Sequence, residues 1–191
     1  MLKKESKKII INIFSGQCFG KKTLTAIFFI NLKKKGLNIG YARNVFQEKP
    51  YLEELDQINN QYYISFKQYI YLNNMSKDVD CVITDCSLLD CLIDNRINQN
   101  NVSNIEKTEA MIMEKYNEFE NINFLINKFE NPKYELDNNE KNECNRKNID
   151  ELLLKILEEN KIKYEILDLN KYSIEEITKK FIEKIEIHLK K

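Results

Sequence analysis

The sequence predicts an α/β fold in which five strands form a mostly parallel sheet with helices on both sides. Three observations carry this. In the run "KIIINIF" at 8–14, every residue after Lys8 except Asn12 is apolar and most are β-branched, the pattern of a strand buried on both faces. Apolar periodicity then switches repeatedly between strand-like and helix-like along the chain. Between the first strand and the first helix lies "SGQCFGKKT" (15–23), a turn marked by two glycines and two lysines. Strands that alternate with helices stack into layers, with crossovers joining parallel neighbours.

Each element has its own signal. "KKTLTAIFFINLKKKG" places Leu24, Ile27, Phe28 and Leu32 on one helical face, then closes with three lysines and Gly36. Cations in a last turn and a glycine just beyond it are stop signals. "LNIGYA" (37–42) reads as a second strand, and 43–60 as a polar loop with some helical turns. "QYYISFKQYIYLNNM" (61–75) predicts a helix whose aromatic stripe, Tyr62, Phe66 and Tyr69 with Tyr63 and Ile70 beside it, is expected to pack into the core. "DCVITD" (80–85) is a third strand, "SLLDCLID" (87–94) a short helix, 105–119 another helix, and "INFLINKF" (122–129) a fourth strand. Residues 130–147 hold almost no apolar side chains and read as an excursion. A helix at 148–160, a strand at 163–169 and a helix from Ser173 to His188 complete the chain. Ser173 with Glu176 forms a capping-box pattern.

The 191 residues suit one domain, 1–191, with 130–147 as a lid-like excursion. Apolar residues make up 42% and charged residues 31%, as in soluble globular proteins. Basic and acidic residues number 30 each, so the net charge is zero. That balance argues against a nucleic-acid groove or a polybasic membrane surface. The opening "MLKKESKKIIINIFSGQC" has the charge order of a signal peptide, but its apolar run is too short and no small-residue cleavage site follows. A cytoplasmic location is expected. Cys18, Cys81, Cys86, Cys91 and Cys144 contain no C-x-x-C pair, and the single histidine, His188, is distant in sequence, so free thiols are expected in place of a zinc site.

The 15–23 turn has the strand–loop–helix context that a phosphate-binding loop requires. Backbone N–H groups converging beside a helix N-terminus attract anions, and a lysine adds a point charge. Gly16 and Gly20 let the backbone turn freely. Two registers are open. Anchored on Gly20–Lys21, the pattern keeps its glycine–lysine pair, with Ser15 in the first-glycine slot and Lys22 in the slot of the magnesium-binding hydroxyl. Anchored on Lys22–Thr23, it keeps the hydroxyl but loses the glycine before the lysine. The first is preferred, because that glycine is where backbone comes closest to phosphate. Thr23 is then turned by about 100° from the hydroxyl slot. Gly16, Gln17, Cys18, Phe19, Gly20, Lys21, Lys22 and Thr23 are thus the nucleotide-binding candidates. Asp85, closing an apolar strand, is the carboxylate such proteins use to hold magnesium, and Asp85 and Thr23 are the candidate metal ligands.

Taken together, "INIFSGQCFGKKTLTAIFFINLKKKGLNIGYA", "QYYISFKQYIYL" and "DCVITDCSLLDCLI" resemble the small P-loop ATP-binding proteins of phages and bacteria. These are often labelled AAA-type ATPases and are related to nicotinamide riboside kinases and thymidylate-kinase-like enzymes. The resemblance covers most of the chain, including Tyr41 and Ala42, Gln61, Lys67 and Gln68, and Asn131, Pro132 and Lys133 at the approach to the lid. It implies a kinase-like P-loop NTPase fold, a three-layer α/β/α sandwich with sheet order 2-3-1-4-5, and supports the register on Lys21. It also exposes departures. Lys22 replaces the hydroxyl residue, Gly40 stands where the family has a glutamate, Cys86–Ser87 replaces "SP", and Tyr134–Glu135 replaces the lid's "GR".

The expected function is binding of ATP or another nucleoside triphosphate, with magnesium uncertain, and weakened transfer of phosphate to a nucleoside, nucleotide or other small acceptor. Lys21, Asp85 and Arg146 would serve catalysis, while Arg43, Gln61 and Gln68 would face the acceptor. The alternative is a module that binds nucleotide or a protein partner without turnover.

Overall fold

The structure, a computed structural model, describes residues 7–15, 20–45, 59–127 and 140–189, with side chains of 140–147 outside the description. In chain order the elements are β1 (Ile9–Phe14), α1 (Lys21–Lys34), β2 (Ile39–Ala42), α2 (Gln61–Met75), β3 (Cys81–Thr84), α3 (Leu88–Ile97), α4 (Ile105–Asn117), β4 (Glu120–Asn127), α5 (Glu140–Glu159), β5 (Glu165–Asp168) and α6 (Ile174–Leu189). The five strands form one parallel sheet in the order β2-β3-β1-β4-β5, in a three-layer α/β/α fold. The predicted fold class and strand order are those observed. No described helix is long and apolar enough to cross a membrane.

The chain forms two compact units, 1–12 with 38–122 and 13–37 with 123–191. In the first, β3 lies between β1 and β2, with Ile10 opposite Val82, Ile39 opposite Cys81 and Tyr41 opposite Ile83. Ile10, Ile11, Ile39, Val82 and Ile83 are all buried, as a strand covered on both faces requires. The helices of this unit start at side-chain caps. Asn60 accepts from the Tyr63 N–H at 3.0 Å, and Asn104 accepts from that of Lys107 at 2.9 Å. Ser87 and Asp90 form a full capping box on α3, a feature worth about 1 kcal/mol.

The aromatic stripe of α2 is not its core face. Tyr62, Phe66 and Ile70 are exposed, while Gln61, Ile64, Ser65, Gln68 and Leu72 face inward. Two of these inward polar residues, Ser65 and Gln68, can be buried because they reach backbone groups. Ser65 Oγ donates to the Gln61 carbonyl at 2.7 Å, and the Gln68 amide is saturated by three main-chain partners.

In the second unit, α1 buries Leu24, Thr25, Phe28 and Leu32. Phe28 stacks on Phe181 of α6 with ring centroids 4.0 Å apart, and Phe181 meets Phe124 of β4 at 4.8 Å. Helix α1 ends as its sequence predicts. Gly36 takes a φ of 81°, its N–H donates to the Lys33 carbonyl, and the Leu37 N–H donates to that of Leu32, the two bonds of a Schellman motif. The Ser173–Glu176 box caps α6, with Ser173 N–H to Glu176 Oε2 at 2.9 Å. Helix α5 begins at Glu140, eight residues before the expected start at 148.

Candidate functional site

The phosphate-loop segment lies in the second unit. Strand β1 delivers the chain to Ser15, which is buried at 6% exposure. Gly16, Gln17, Cys18 and Phe19 lie outside the described residues. The chain continues at Gly20, the N-cap of α1, with φ 68° and ψ 19°. This is the left-handed region, which glycine enters at little cost. Among the described residues, no atom lies within 4 Å of a Cβ placed on Gly20, so it is the turn and not their crowding that asks for glycine. The Gly20 carbonyl accepts the first helical bond from Leu24 N–H at 2.9 Å.

The N-cap of α1, Gly20, has no side chain to cap the helix, unlike Asn60, Ser87 and Asn104 at the heads of α2, α3 and α4. The first N–H groups of a helix have no intrahelical acceptor and carry the positive end of its dipole. Lys21 is the first helical residue and is half-buried, whereas Lys22 and Thr23 are exposed. Thr25 Oγ1 donates to the Lys21 carbonyl at 2.7 Å and is fully buried, fastening the first turn.

The acidic corner lies in the first unit. Asp85 follows β3 and is 5% exposed, and the Tyr41 hydroxyl donates to its Oδ2 at 3.1 Å. The Tyr41 phenol is pushed up to about 12, chiefly by burial and then by the neighbouring Asp85 charge and hydrogen bond, with Arg43 pulling the other way. Gln68 binds this corner together. Its Nε2 donates to the carbonyls of Cys86 at 2.9 Å and Arg43 at 3.4 Å, and its Oε1 accepts from the Val45 N–H at 3.1 Å. Thr84 Oγ1 accepts from the Cys86 N–H and donates to the Cys86 carbonyl, both at 3.0 Å, closing the turn after β3.

The candidates for the acceptor side thus differ in character. Gln68 is fully buried and holds backbone, Arg43 is exposed, and Gln61 is buried with an Oε1 that has no hydrogen-bond partner. A buried amide oxygen without a partner costs about 1–3 kcal/mol. Arg146 lies on the α5 backbone, with its side chain outside the description, and Asn131, Pro132 and Lys133 are outside the described residues.

Gly40 is closely packed. A Cβ there would lie 2.9 Å from Met75 Cγ, 3.0 Å from Met75 Sδ and 3.5 Å from Val79 Cγ2. Strand alternation turns residue 40 to the face opposite Tyr41, and it is Tyr41 that meets Asp85. A glutamate at 40 on this backbone would be directed toward Met75, so the glycine removes no carboxylate from beside Asp85. Sequence reading missed Tyr41 as a partner of Asp85. The signal was available in the strand register, where Tyr41 opposes Ile83, two residues before Asp85.

Among the described residues, no three His, Cys, Asp or Glu side chains group as metal ligands, and Cys81, Cys86 and Cys91 are buried free thiols.

The fold is that of the P-loop kinases. It resembles the YorR protein from Bacillus subtilis, solved in complex with phosphorylated GDP, with a TM-score of 0.59 and 17% identity over 94% of this chain and 96% of that one. Thymidylate kinase from Ehrlichia chaffeensis aligns with a TM-score of 0.57 and 12% identity over 95% of this chain and all 100% of its own. The NadR protein, solved in complex with NR, aligns with a TM-score of 0.57 and 13% identity over 84% of this chain, which spans 43% of NadR. No protein-family model and no curated protein matches the sequence.

Proposed function

We propose that the protein binds ATP or another nucleoside triphosphate through the 16–23 loop and the head of α1, and that it transfers phosphate to a small acceptor slowly. The observation that carries this reading is the start of α1, where a left-handed glycine N-cap, Gly20, stands directly before a half-buried Lys21. Helix N-termini of this build accept phosphate through backbone N–H groups, and Lys21 is assigned to the β- and γ-phosphates. The phosphorylated GDP in the YorR complex supports the choice of ligand class.

Magnesium fits only as an ion shared with the nucleotide. It takes one or two carboxylates together with phosphate oxygens and water, and buried Asp85 supplies one carboxylate. When bound, it neutralises charge on the phosphate oxygens. Thr23, exposed at the third helical position, is the remaining hydroxyl candidate, while exposed Lys22 occupies the usual hydroxyl slot and offers no oxygen. Catalysis is therefore weak, with Arg146 proposed to approach from the lid. Arg43 and Gln61 are assigned to the acceptor side, and Gln68 acts there by fixing the Arg43 backbone.

A second reading, nucleotide binding without turnover, is favoured by the lysine at 22. Calorimetry with ATP, with and without magnesium, tests both. Binding that Lys21→Ala abolishes, together with magnesium-dependent turnover that rises in Lys22→Thr, supports the first. Metal-independent binding with no turnover in either protein supports the second. No binding of any nucleoside triphosphate contradicts both.

A further inference from the structure

We propose that the Tyr41 hydroxyl fixes the Asp85 carboxylate in the orientation in which it serves a magnesium–nucleotide complex, making Tyr41 a positioning residue. This rests on the nucleotide-binding reading above and assigns a role to a side chain that reading leaves unused.

The backbone sets the pair. Strands β2 and β3 run in parallel register with Tyr41 opposite Ile83 and Ala42 opposite Thr84. Side chains two apart share a face, so Tyr41, Ile83 and Asp85 lie on one side of these strands and Gly40 on the other. The contact is a direct one, from the Tyr41 hydroxyl to Asp85 Oδ2 at 3.1 Å. A tyrosine ring has two side-chain torsions and arrives from a strand that is itself paired, so its hydroxyl is placed with little conformational freedom.

The chemistry of the partner matters as much as its position. An ionised carboxylate has about four lone-pair sites, and a phenol occupies one of them. A lysine or arginine in the same place would hold the carboxylate equally well but would cancel the charge a cation needs. A phenol orients without neutralising. Burial and the Asp85 charge push the Tyr41 phenol up to about 12, so it remains a donor throughout the physiological range. The corner behind it is fastened by Gln68 to Arg43, Val45 and Cys86, and by Thr84 to Cys86. The residues on either side of Asp85 are thereby tied together, and Tyr41 holds its carboxylate.

The test uses the full chain as wild type, Tyr41→Phe, Asp85→Asn and the double variant. ATP affinity is measured by calorimetry with and without magnesium. The ratio of the two affinities reports the metal's contribution. We expect Tyr41→Phe to reduce this ratio by about tenfold, the scale of one hydrogen bond to a charged group. Asp85→Asn should remove the metal's contribution, and the double variant should match Asp85→Asn alone. A Tyr41→Phe ratio equal to wild type, in a protein where Asp85→Asn abolishes the metal effect, overturns the positioning role. Failure of the underlying reading looks different: ATP binding with no metal effect in wild type and Asp85→Asn alike overturns the magnesium assignment and the positioning role, and no ATP binding overturns the nucleotide-binding reading as well. NMR of chains labelled at tyrosine Cζ supplies a readout independent of ligand. Asp85→Asn should shift the Tyr41 Cζ signal at neutral pH, since it alters the acceptor of the hydroxyl, and an unchanged signal shows that the contact does not exist.

Discussion

Replacing Gly20 with alanine separates the two reasons a glycine can stand in a phosphate loop. One is backbone conformation and the other is space. Gly20 has φ 68°, and no atom of the described residues lies within 4 Å of where a Cβ would be. Crowding therefore contributes nothing, and the cost of Gly20→Ala is that of an L-residue held in the left-handed region, about 1–2 kcal/mol. For a protein of this length, 1 kcal/mol corresponds to about 2–4 °C in Tm, so the variant should melt about 2–8 °C below wild type. Asparagine enters the left-handed region more readily than alanine, so Gly20→Asn should retain at least half of the lost stability. Thermal unfolding of the three proteins, followed by circular dichroism, makes the comparison. If alanine and asparagine melt together with wild type, the left-handed turn at 20 is not there. A loss above ~4 kcal/mol for alanine would mean that its methyl group meets packed atoms, against the open space at this position.

Three further expectations concern other residues of the two units. Phe181→Ala removes the ring that stacks between Phe28 and Phe124 and is fully buried, so chemical denaturation should show a loss of about 3–5 kcal/mol. Gly40→Ala should cost less, about 1–3 kcal/mol of overpacking set by how far the Met75 side chain can shift, and its effect on magnesium-dependent ATP binding should be nil. The third concerns alkaline stability. The Tyr41 phenol ionises at about 12 in the folded protein against 10 when unfolded, so its contribution is complete below pH 10 and disappears as pH rises through 12. Wild type should therefore lose stability relative to Tyr41→Phe across that window, as pH-dependent unfolding would show.

Much of this architecture could be read from the chain because local signals and tertiary packing agree. The 8–14 run is apolar on both faces and is buried on both. Lys33, Lys34 and Gly36 mark the end of α1, and the Schellman bonds form there. Gly20 beside Lys21 marked its start. Helix α2 misled because burial there follows hydrogen bonding more than hydrophobicity. Gln61, Ser65 and Gln68 turn inward while Tyr62 and Phe66 face out, and an apolar count ranks those residues in the opposite order. Helix α5 starts early because 140–147 has residues able to form helix but no apolar stripe to announce it. The Tyr41–Asp85 bond joins residues 44 apart in sequence, and only strand register brings them together. The same register turned Gly40 away from the acidic corner, a consequence invisible to motif comparison.

The central claim is that the backbone at the head of α1 receives the phosphates of a nucleotide. Amide proton–nitrogen spectra of the full chain, recorded as ATP is added, test it most directly. The account predicts that the signals of Gly20, Lys21, Lys22 and Thr23 shift together and saturably, and that adenosine without phosphates leaves them in place. Signals at 20–23 that stay fixed while ATP perturbs another part of the chain, or that respond to adenosine as strongly as to ATP, would contradict it.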